Sequence, residues 1–233
     1  MAKKEEVNIH STTVQNVTLT ITSVTASQIS LTYRSPNGNQ PSKFGNALYI
    51  WQSGDQIPWQ TAALSSQAMT TSSSDGSASF SSLDVTNNSY IIGYAVGPID
   101  STITWSTYSN VVASAFVPAI GGGQQEYQSS SLVITDIGAT SLVATFGFLD
   151  GYDPQDSGAW AGVWQGQSVS YNNPPKWFAP ISGTNSTGTV SFNNVVITRG
   201  TTYTVGLYSA GYKSTPAQLK LQPLACAITF TNG

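Results

Sequence analysis

The residues able to do chemistry are few and far apart. His10 is the only histidine and Cys226 the only cysteine. A Ser-His-Asp or Cys-His site needs a base held against its nucleophile. His10 stands among charged, unpatterned residues near the start of the chain, with no counterpart elsewhere, and Cys226 follows Pro223-Leu224-Ala225 in an apolar run that reads as a small buried hydrophobe. Paired carboxylates flanking a cleft would be the remaining route to catalysis. Asp55, Asp75, Asp84 and Asp100 fall in separate stretches that no second pattern brings together. The expectation is a protein that is not an enzyme. One acidic cluster stands apart: Asp150, Asp153 and Asp156 lie within seven residues. Loop carboxylates with nearby carbonyls suit a hard cation such as Ca2+. Their i, i+3, i+6 spacing is not that of an EF-hand. The competing expectations are a solvated turn with Asp150 ahead of Gly151, and contact of this loop with Arg34 or Lys43.

Aromatic and amide side chains form a larger set. Trp51-Gln52 and Trp164-Gln165 occupy matching strands, and Trp59, Tyr171, Asn172 and Trp177 follow in the loops just downstream. Flat aromatic faces stack on the C–H faces of sugar rings while amides bond their hydroxyls, so these eight residues are the candidate ligand contacts. The same loop aromatics would equally plug a sandwich end, fill a domain interface, or enter a membrane interface. Two placements of Trp51 and Trp164 are open. Leu48 and Ile50 share one face of their strand and Tyr49 and Trp51 the other, so an inward aliphatic face turns the tryptophans outward beside Gly93 or Gly206, whereas an immunoglobulin-type arrangement turns them inward.

These residues are positioned by a repeated pattern. Trp51 and Trp164 stand 113 residues apart, and the same offset relates Val24 to Ile137, Ile29 to Leu142, Tyr33 to Phe146, Gly38 to Gly151, Pro41 to Pro154, Gly45 to Gly158 and Tyr90 to Tyr203. A period above 100 residues means whole domains rather than solenoid units. Val17-Thr18-Leu19-Thr20-Ile21 and Ile29-Ser30-Leu31-Thr32-Tyr33 alternate apolar and polar with period two, the mark of half-buried strands. Ser35 to Pro41 is a turn, and Leu48 to Gln52 a strand. Further strands are expected at 78–80, 83–85, 90–96, 103–105 and 111–116, and the later half repeats the plan. No helical apolar stripe of useful length interrupts them. The expected fold is all-β, two tandem antiparallel β-sandwich domains related by internal duplication. Its expected parts are a flexible leader at 1–13, a first sandwich at 14–118, a Gly-rich linker at 119–125 and a second sandwich at 126–233.

The run Asn87-Asn88-Ser89-Tyr90-Ile91-Ile92, and Arg199-Gly200-Thr201-Thr202-Tyr203-Thr204-Val205 in the later half, resembles the E–F region of fibronectin type III and related immunoglobulin-like modules. There a tyrosine follows a short turn and opens strand F. The resemblance implies a seven-stranded sandwich and a binding role. Two departures stand out: Tyr33 and Phe146 replace the tryptophan of strand B, and the charged surface of ordinary type III modules is absent.

Composition narrows the function classes. Only 8% of residues are charged, against an average of about 25%, while 39% are hydrophobic. Ser, Thr, Asn and Gln must therefore carry solubility, and the surface suits neutral polar partners. A net charge of −3 with eight Lys plus Arg excludes nucleic acid as an expected partner. No apolar run approaches the ~18 residues of a transmembrane segment, and no secretory signal is visible, so cytoplasmic synthesis with possible release is expected. The leading expectation is a lectin-like, non-catalytic binding protein whose two sites gain avidity by linkage and meet a glycan or other cell-surface ligand. The alternatives are a membrane-active or insecticidal-type β-rich toxin, with Ser/Thr tracts at 70–77 and 183–188 as candidate inserting segments, and a self-assembling structural subunit, a homo-oligomer built through poorly protected edge strands.

Overall fold

The structure, a computed structural model, describes residues 9–233. Its earlier half holds β1 (Ile9–Asn16), β2 (Thr18–Val24), β3 (Gln28–Arg34), the one-turn helix α1 (Pro41–Phe44), β4 (Ala47–Gln52), β5 (Ser65–Ala68), β6 (Asp75–Ser81), β7 (Tyr90–Ala95) and β8 (Val111–Val117). The later half holds β9 (Glu126–Ser129), β10 (Ser131–Ile137), β11 (Ser141–Gly147), α2 (Pro154–Ser157), β12 (Trp160–Gln165), β13 (Trp177–Pro180), β14 (Thr187–Asn193), β15 (Thr202–Tyr208) and β16 (Leu224–Asn232). The fold is all-β, and its strand pairs are antiparallel.

Each half contributes a three-stranded sheet, β2-β3-β6 or β10-β11-β14, and the core of a five-stranded one, β5-β4-β7-β8-β9 or β13-β12-β15-β16-β1. Register repeats with the order: Leu19 faces Tyr33 as Leu132 faces Phe146, and Tyr90 faces Val117 as Tyr203 faces Phe230. Alternation explains the three-stranded sheets, where Leu19, Ile29, Leu31 and Phe80 point inward and Thr18, Thr20 and Thr32 outward. β4 and β7 are buried on both faces, because loops cover the outer side of the five-stranded sheet. Leu48 and Ile50 fill the sandwich, each burial stabilising by about 1.5–3 kcal/mol, and Tyr49 and Trp51 are buried behind them under Ile57 and Tyr108. One continuous apolar cluster runs through both halves, and a second lies on the outer face of β12, β15 and β16.

Several expected boundaries are corrected. Residues 9–13 of the expected leader lie in β1, which pairs with β16 of the later half, Thr13 opposite Thr229 and Asn16 opposite Cys226. A polar stretch without apolar alternation becomes a strand because a neighbouring edge supplies the ladder; the rest of that leader lies outside the described residues. The Gly-rich 119–125 segment is the turn of a hairpin, since β9 folds back on β8 with Glu126 opposite Phe116. β9, assigned by sequence to the second sandwich, thus sits in the sheet of the first. Segments 83–85 and 103–105 are loops rather than strands. In the first, the Asp84 N–H is taken by the Tyr90 hydroxyl at 2.9 Å and Val85 plugs the sandwich end. In the second, Trp105 is drawn out of any ladder toward the other half.

The two halves are therefore joined by crossing strands. β1 leaves the sheet of the later half and becomes β2 of the earlier one through Val17 alone; β9 leaves the sheet of the earlier half and becomes β10 of the later one through Ser130 alone. The crossings are pinned: Ser129 Oγ donates to the Val17 carbonyl at 2.6 Å, and Ser130 Oγ donates to the Val112 carbonyl at 3.0 Å.

Candidate functional site

The aromatic set extends outward from β4 and β12, which hold Trp51 and Trp164. Trp51 is 2% exposed: its Nε1–H donates to the Thr61 carbonyl at 2.9 Å, its ring meets Tyr108 edge-on, and it lies across Gly93, where a Cβ would come within 3.1 Å of the ring. Trp164 is 8% exposed and donates to the Asn173 carbonyl at 3.1 Å. Neither tryptophan offers a face to a ligand. They turn away from the sandwich interior as the outward placement expects, and loops then close over them, a covering that strand periodicity does not encode. Gln52 and Gln165 are exposed at the strand ends, and Gln52 Nε2 donates to Asn88 Oδ1 at 2.8 Å.

The loop aromatics meet at the seam between the halves. Trp59 donates through Nε1 to the Asp150 carbonyl at 2.8 Å and packs within 5.5 Å of the rings of Trp105 and Tyr152. Trp105 donates to Ser157 Oγ at 2.8 Å. On the other side Tyr171 stacks on Phe44 at 4.9 Å and 20°. The contacts are reciprocal: Trp59 lies against Gly151 of the later half, and Tyr171 lies against Gly38 of the earlier one. Both glycines have left-handed backbones, φ +74° and +84°, which disfavour a side chain; a Cβ on Gly151 would come within 3.1 Å of Trp59 Nε1, whereas one on Gly38 would meet Tyr171 at an ordinary 3.6 Å. Trp59 and Tyr171, proposed by sequence as ligand contacts, are interface residues, the domain-interface alternative for these loops. Asn172 is exposed beside them, its backbone N–H held by Ser170 Oγ at 3.2 Å. Trp177 is half-buried in β13; it donates to the Asn194 carbonyl at 3.1 Å, and Lys176 Nζ sits 4.4 Å from its ring centroid, occupying a face a sugar would need.

The three acids do not form a cation cage. Asp153 caps α2, its Oδ1 accepting from the Asp156 N–H at 3.0 Å, while Asp150 gives its backbone carbonyl to Trp59 and its Oδ2 to Gln128 Nε2 at 3.4 Å. Among the described residues no group of three His, Cys, Asp or Glu side chains comes together for a metal. The ion pair across the seam is instead Asp100 with Lys220 at 2.5 Å. The Lys220 ammonium and the Thr102 hydroxyl hold the Asp100 carboxyl down at about 2. Burial pushes the Cys226 thiol well up, and the Tyr94 hydroxyl to about 12, so neither is a nucleophile at neutral pH.

Sequence reasoning missed Phe44, Trp105 and Tyr152, the partners that complete the seam. The available signal was Gly38 with Gly151, a matched pair of turn glycines with left-handed backbones, each with an aromatic ring of the other half against it. Two shallow clefts stay open. One of about 500 Å3 lies over Tyr33, Arg34, Asp75 and Thr32. The other, about 490 Å3, lies between β13 and β14 over Phe146, Ile181 and Val190, with Asn185, Thr187 and Ser191 on its rim. Each lies where a strand glycine uncovers an aromatic ring, Gly76 beside Tyr33 and Gly188 beside Phe146.

No protein-family model matches the chain, and no curated protein matches it. Among solved structures, a purple acid phosphatase from yellow lupin (Lupinus luteus) seeds overlaps it at 12% identity and a TM-score of 0.25, covering 78% of this chain and 34% of that one. The chain thus spans about a third of the phosphatase's length, and an overlap that loose carries neither fold nor chemistry across. Among the described residues no helix is long and apolar enough to cross a membrane.

Proposed function

We propose that this is a non-catalytic structural subunit that acts as one rigid body and associates with further copies through its β edges. The observation that carries this reading is the double strand crossing. A lectin that gains avidity from two linked sites needs halves free to find their ligands, and here β1 and β9 lock each sandwich to the sheet of the other. Of the loop aromatics that would have formed such sites, Trp59 and Tyr171 are spent on the seam. Edge protection is also sparse: β5 carries Ser, Ser, Gln and Ala, and β14 has no charge or proline along Thr187–Asn193. Natural sheets that stay apart blunt their edges with lysine, proline or bulges. The corner tyrosines support a likeness of each half to fibronectin type III and immunoglobulin-like modules, since Tyr90 accepts from the Asp84 N–H and Tyr203 from the Thr198 N–H, each at 2.9 Å.

Sedimentation velocity across a micromolar to millimolar series tests the reading. Mass should rise with concentration and change little with added salt, because so few charges are present. A monomer across the whole series would overturn it. A second reading, binding of a neutral saccharide, rests on the β13–β14 cleft, whose lining has no charged side chain and joins an aromatic floor to a hydroxyl and amide rim. Calorimetric titration with neutral oligosaccharides should then give a signal that Asn185→Ala removes; a flat titration of the unmodified protein would exclude it.

A further inference from the structure

We propose that the free edge of β5 is the surface through which two copies of this chain meet, β5 of one pairing antiparallel with β5 of the other. This deepens the assembly reading above and rests on it.

The two halves differ at one matched edge. β5 and β13 hold the same place, each the outermost strand of its five-stranded sheet, beside β4 or β12. Their registers agree: Ala47 is opposite Ala68 as Trp160 is opposite Pro180, and Ile50 is opposite Ser65 as Val163 is opposite Trp177. The flanking bonds agree as well. The Leu64 N–H donates to the Ile50 carbonyl at 2.8 Å and the Lys176 N–H to the Val163 carbonyl at 3.1 Å, while the Met69 N–H donates to the Asn46 carbonyl and the Ile181 N–H to the Ala159 carbonyl, each at 3.0 Å. Leu64 thus answers Lys176, and Ala68 answers Pro180.

What differs is protection. Backbone groups alternate in direction along a strand, so with Met69 turned to β4, Ser65 and Gln67 turn the same way, and Ser66 and Ala68 aim their N–H and C=O outward. The same alternation puts Pro180 at an outward position of β13, where proline has no N–H to offer. Lys176 adds an exposed charge at the other end of that strand. Proline and lysine are two of the devices that keep an edge unpaired. β5 has neither: Ala68 keeps its outward N–H, Leu64 is 56% exposed, and all four residues of the strand are exposed.

A second copy is the fitted occupant because this edge is complementary to itself. A two-fold axis through Gln67 sets Ser66 of each copy opposite Ala68 of the other, and the outward groups of those residues then form four hydrogen bonds with none left over. Gln67 meets Gln67, and an amide side chain both donates and accepts. No charged residue lies between Gln56 and Ser74, so identical strands meet without like-charge repulsion. So short an edge makes a contact of the weak, transient class, formed at the upper end of the concentration series.

The test is Gln67→Cys in the whole chain, oxidised at a series of concentrations and run without reductant. Residues facing each other across the axis stand at a non-hydrogen-bonded position, with Cα atoms about 4.5 Å apart, within the roughly 4.4–6.8 Å that a disulfide spans. Cys226 is fully buried and stays out of the reaction. Ala179→Cys, at the matching position of β13, is the control. Pairing predicts a covalent dimer as the main product for Gln67→Cys at concentrations where Ala179→Cys stays monomeric; equal yields from the two, or no dimer from Gln67→Cys, would overturn it. Sedimentation of Leu64→Lys and of Ala68→Pro, which put the residues of β13 onto β5, separates this contact from assembly in general. Both should stay monomeric where the parent is a dimer, and Leu64→Lys, at an exposed position, keeps the comparison sound if proline disturbs the strand. If the parent associates and Leu64→Lys associates as strongly, another edge holds the copies: the β5 contact falls and the assembly reading stands. If the parent is monomeric throughout, both fall.

Discussion

Replacing Trp59 with alanine separates an interface residue from a ligand platform. Trp59 is 9% exposed, touches Trp105, Tyr152 and Gly151, and donates one hydrogen bond across the seam. Removing a buried tryptophan costs about 3–5 kcal/mol in lost contacts and residual cavity, and the lost hydrogen bond adds about 1 kcal/mol. The expected loss is therefore about 4–6 kcal/mol, a large share of the ~5–15 kcal/mol that holds a typical domain. For a chain of this size each kcal/mol moves the melting temperature by about 2–4 °C, so a drop of about 8–24 °C is expected in calorimetry or circular dichroism. The transition should remain single, since β1 and β9 still couple the halves. Trp177→Ala, at a half-exposed edge, should cost about 1–2 kcal/mol by the same scale of buried area. A Trp59→Ala protein that melts within about 3 °C of the parent, or that splits into two transitions, would refute the seam as described.

Two further substitutions probe the same seam. Gly151→Ala must hold an L-residue at φ +74° and bring a Cβ to 3.1 Å from Trp59 Nε1, whereas Gly121→Ala meets the same backbone strain at φ +83° with nothing within 4 Å. Left-handed strain alone costs about 1–2 kcal/mol, so Gly121→Ala should lose that much and Gly151→Ala measurably more; equal losses in denaturant titrations would remove the packing of Trp59 on the turn. The Asp100–Lys220 pair gives a pH dependence. Folding lowers the Asp100 carboxyl from its ordinary 3.8 to about 2, so its contribution is present above pH 4 and is lost as the pH falls from there toward 2. Because Lys220 is half exposed, the contribution is about 0.5–1 kcal/mol, and Lys220→Met should lower stability by that amount at pH 7 and by only a small fraction of it at pH 2, where the Asp100 carboxyl is half protonated. A deficit that persists undiminished at pH 2 would assign the effect to packing of the lysine stem instead.

The strands of the three-stranded sheets were legible because period-two alternation reports a sheet with one face on the core. Leu19, Ile29, Leu31 and Phe80 read correctly for that reason; the strand at 90–96 was legible from its apolar run, but its burial on both faces was not. β1, β5 and β9 were illegible: Thr12-Thr13-Val14, Ser65-Ser66-Gln67 and Glu126-Tyr127-Gln128 bury little, and they are strands because a neighbour's edge needs a partner. The covering of Trp51 and Trp164 was illegible for a related reason. Chain pattern identifies which residues share a strand face, and it correctly pairs Tyr49 with Trp51; it does not say whether a loop from elsewhere returns over that face. Tyr108 and Ile57 do so in the earlier half, Val169 and Leu221 in the later one.

The two halves fill that covered face in different ways, which bears on what the aromatics are for. At matched positions the earlier half has Ala47, Tyr49 and Trp51, the later half Trp160, Gly162 and Trp164. The bulk has moved along the strand by two residues. Trp160 stacks flat on Tyr208 at 4.0 Å and 6°, and its ring reaches back over Gly162, where a Cβ would stand 2.9 Å from the ring and 2.7 Å from Pro175. Tyr49 in the earlier half sits edge-on to Tyr108 at 5.0 Å. A ligand platform would keep its ring at a fixed place and vary what surrounds it. Here the ring moves and the filled volume is kept, as close packing requires of a core. The tryptophans of β4 and β12 are therefore held by the need to close the outer layer under the loops of their own half.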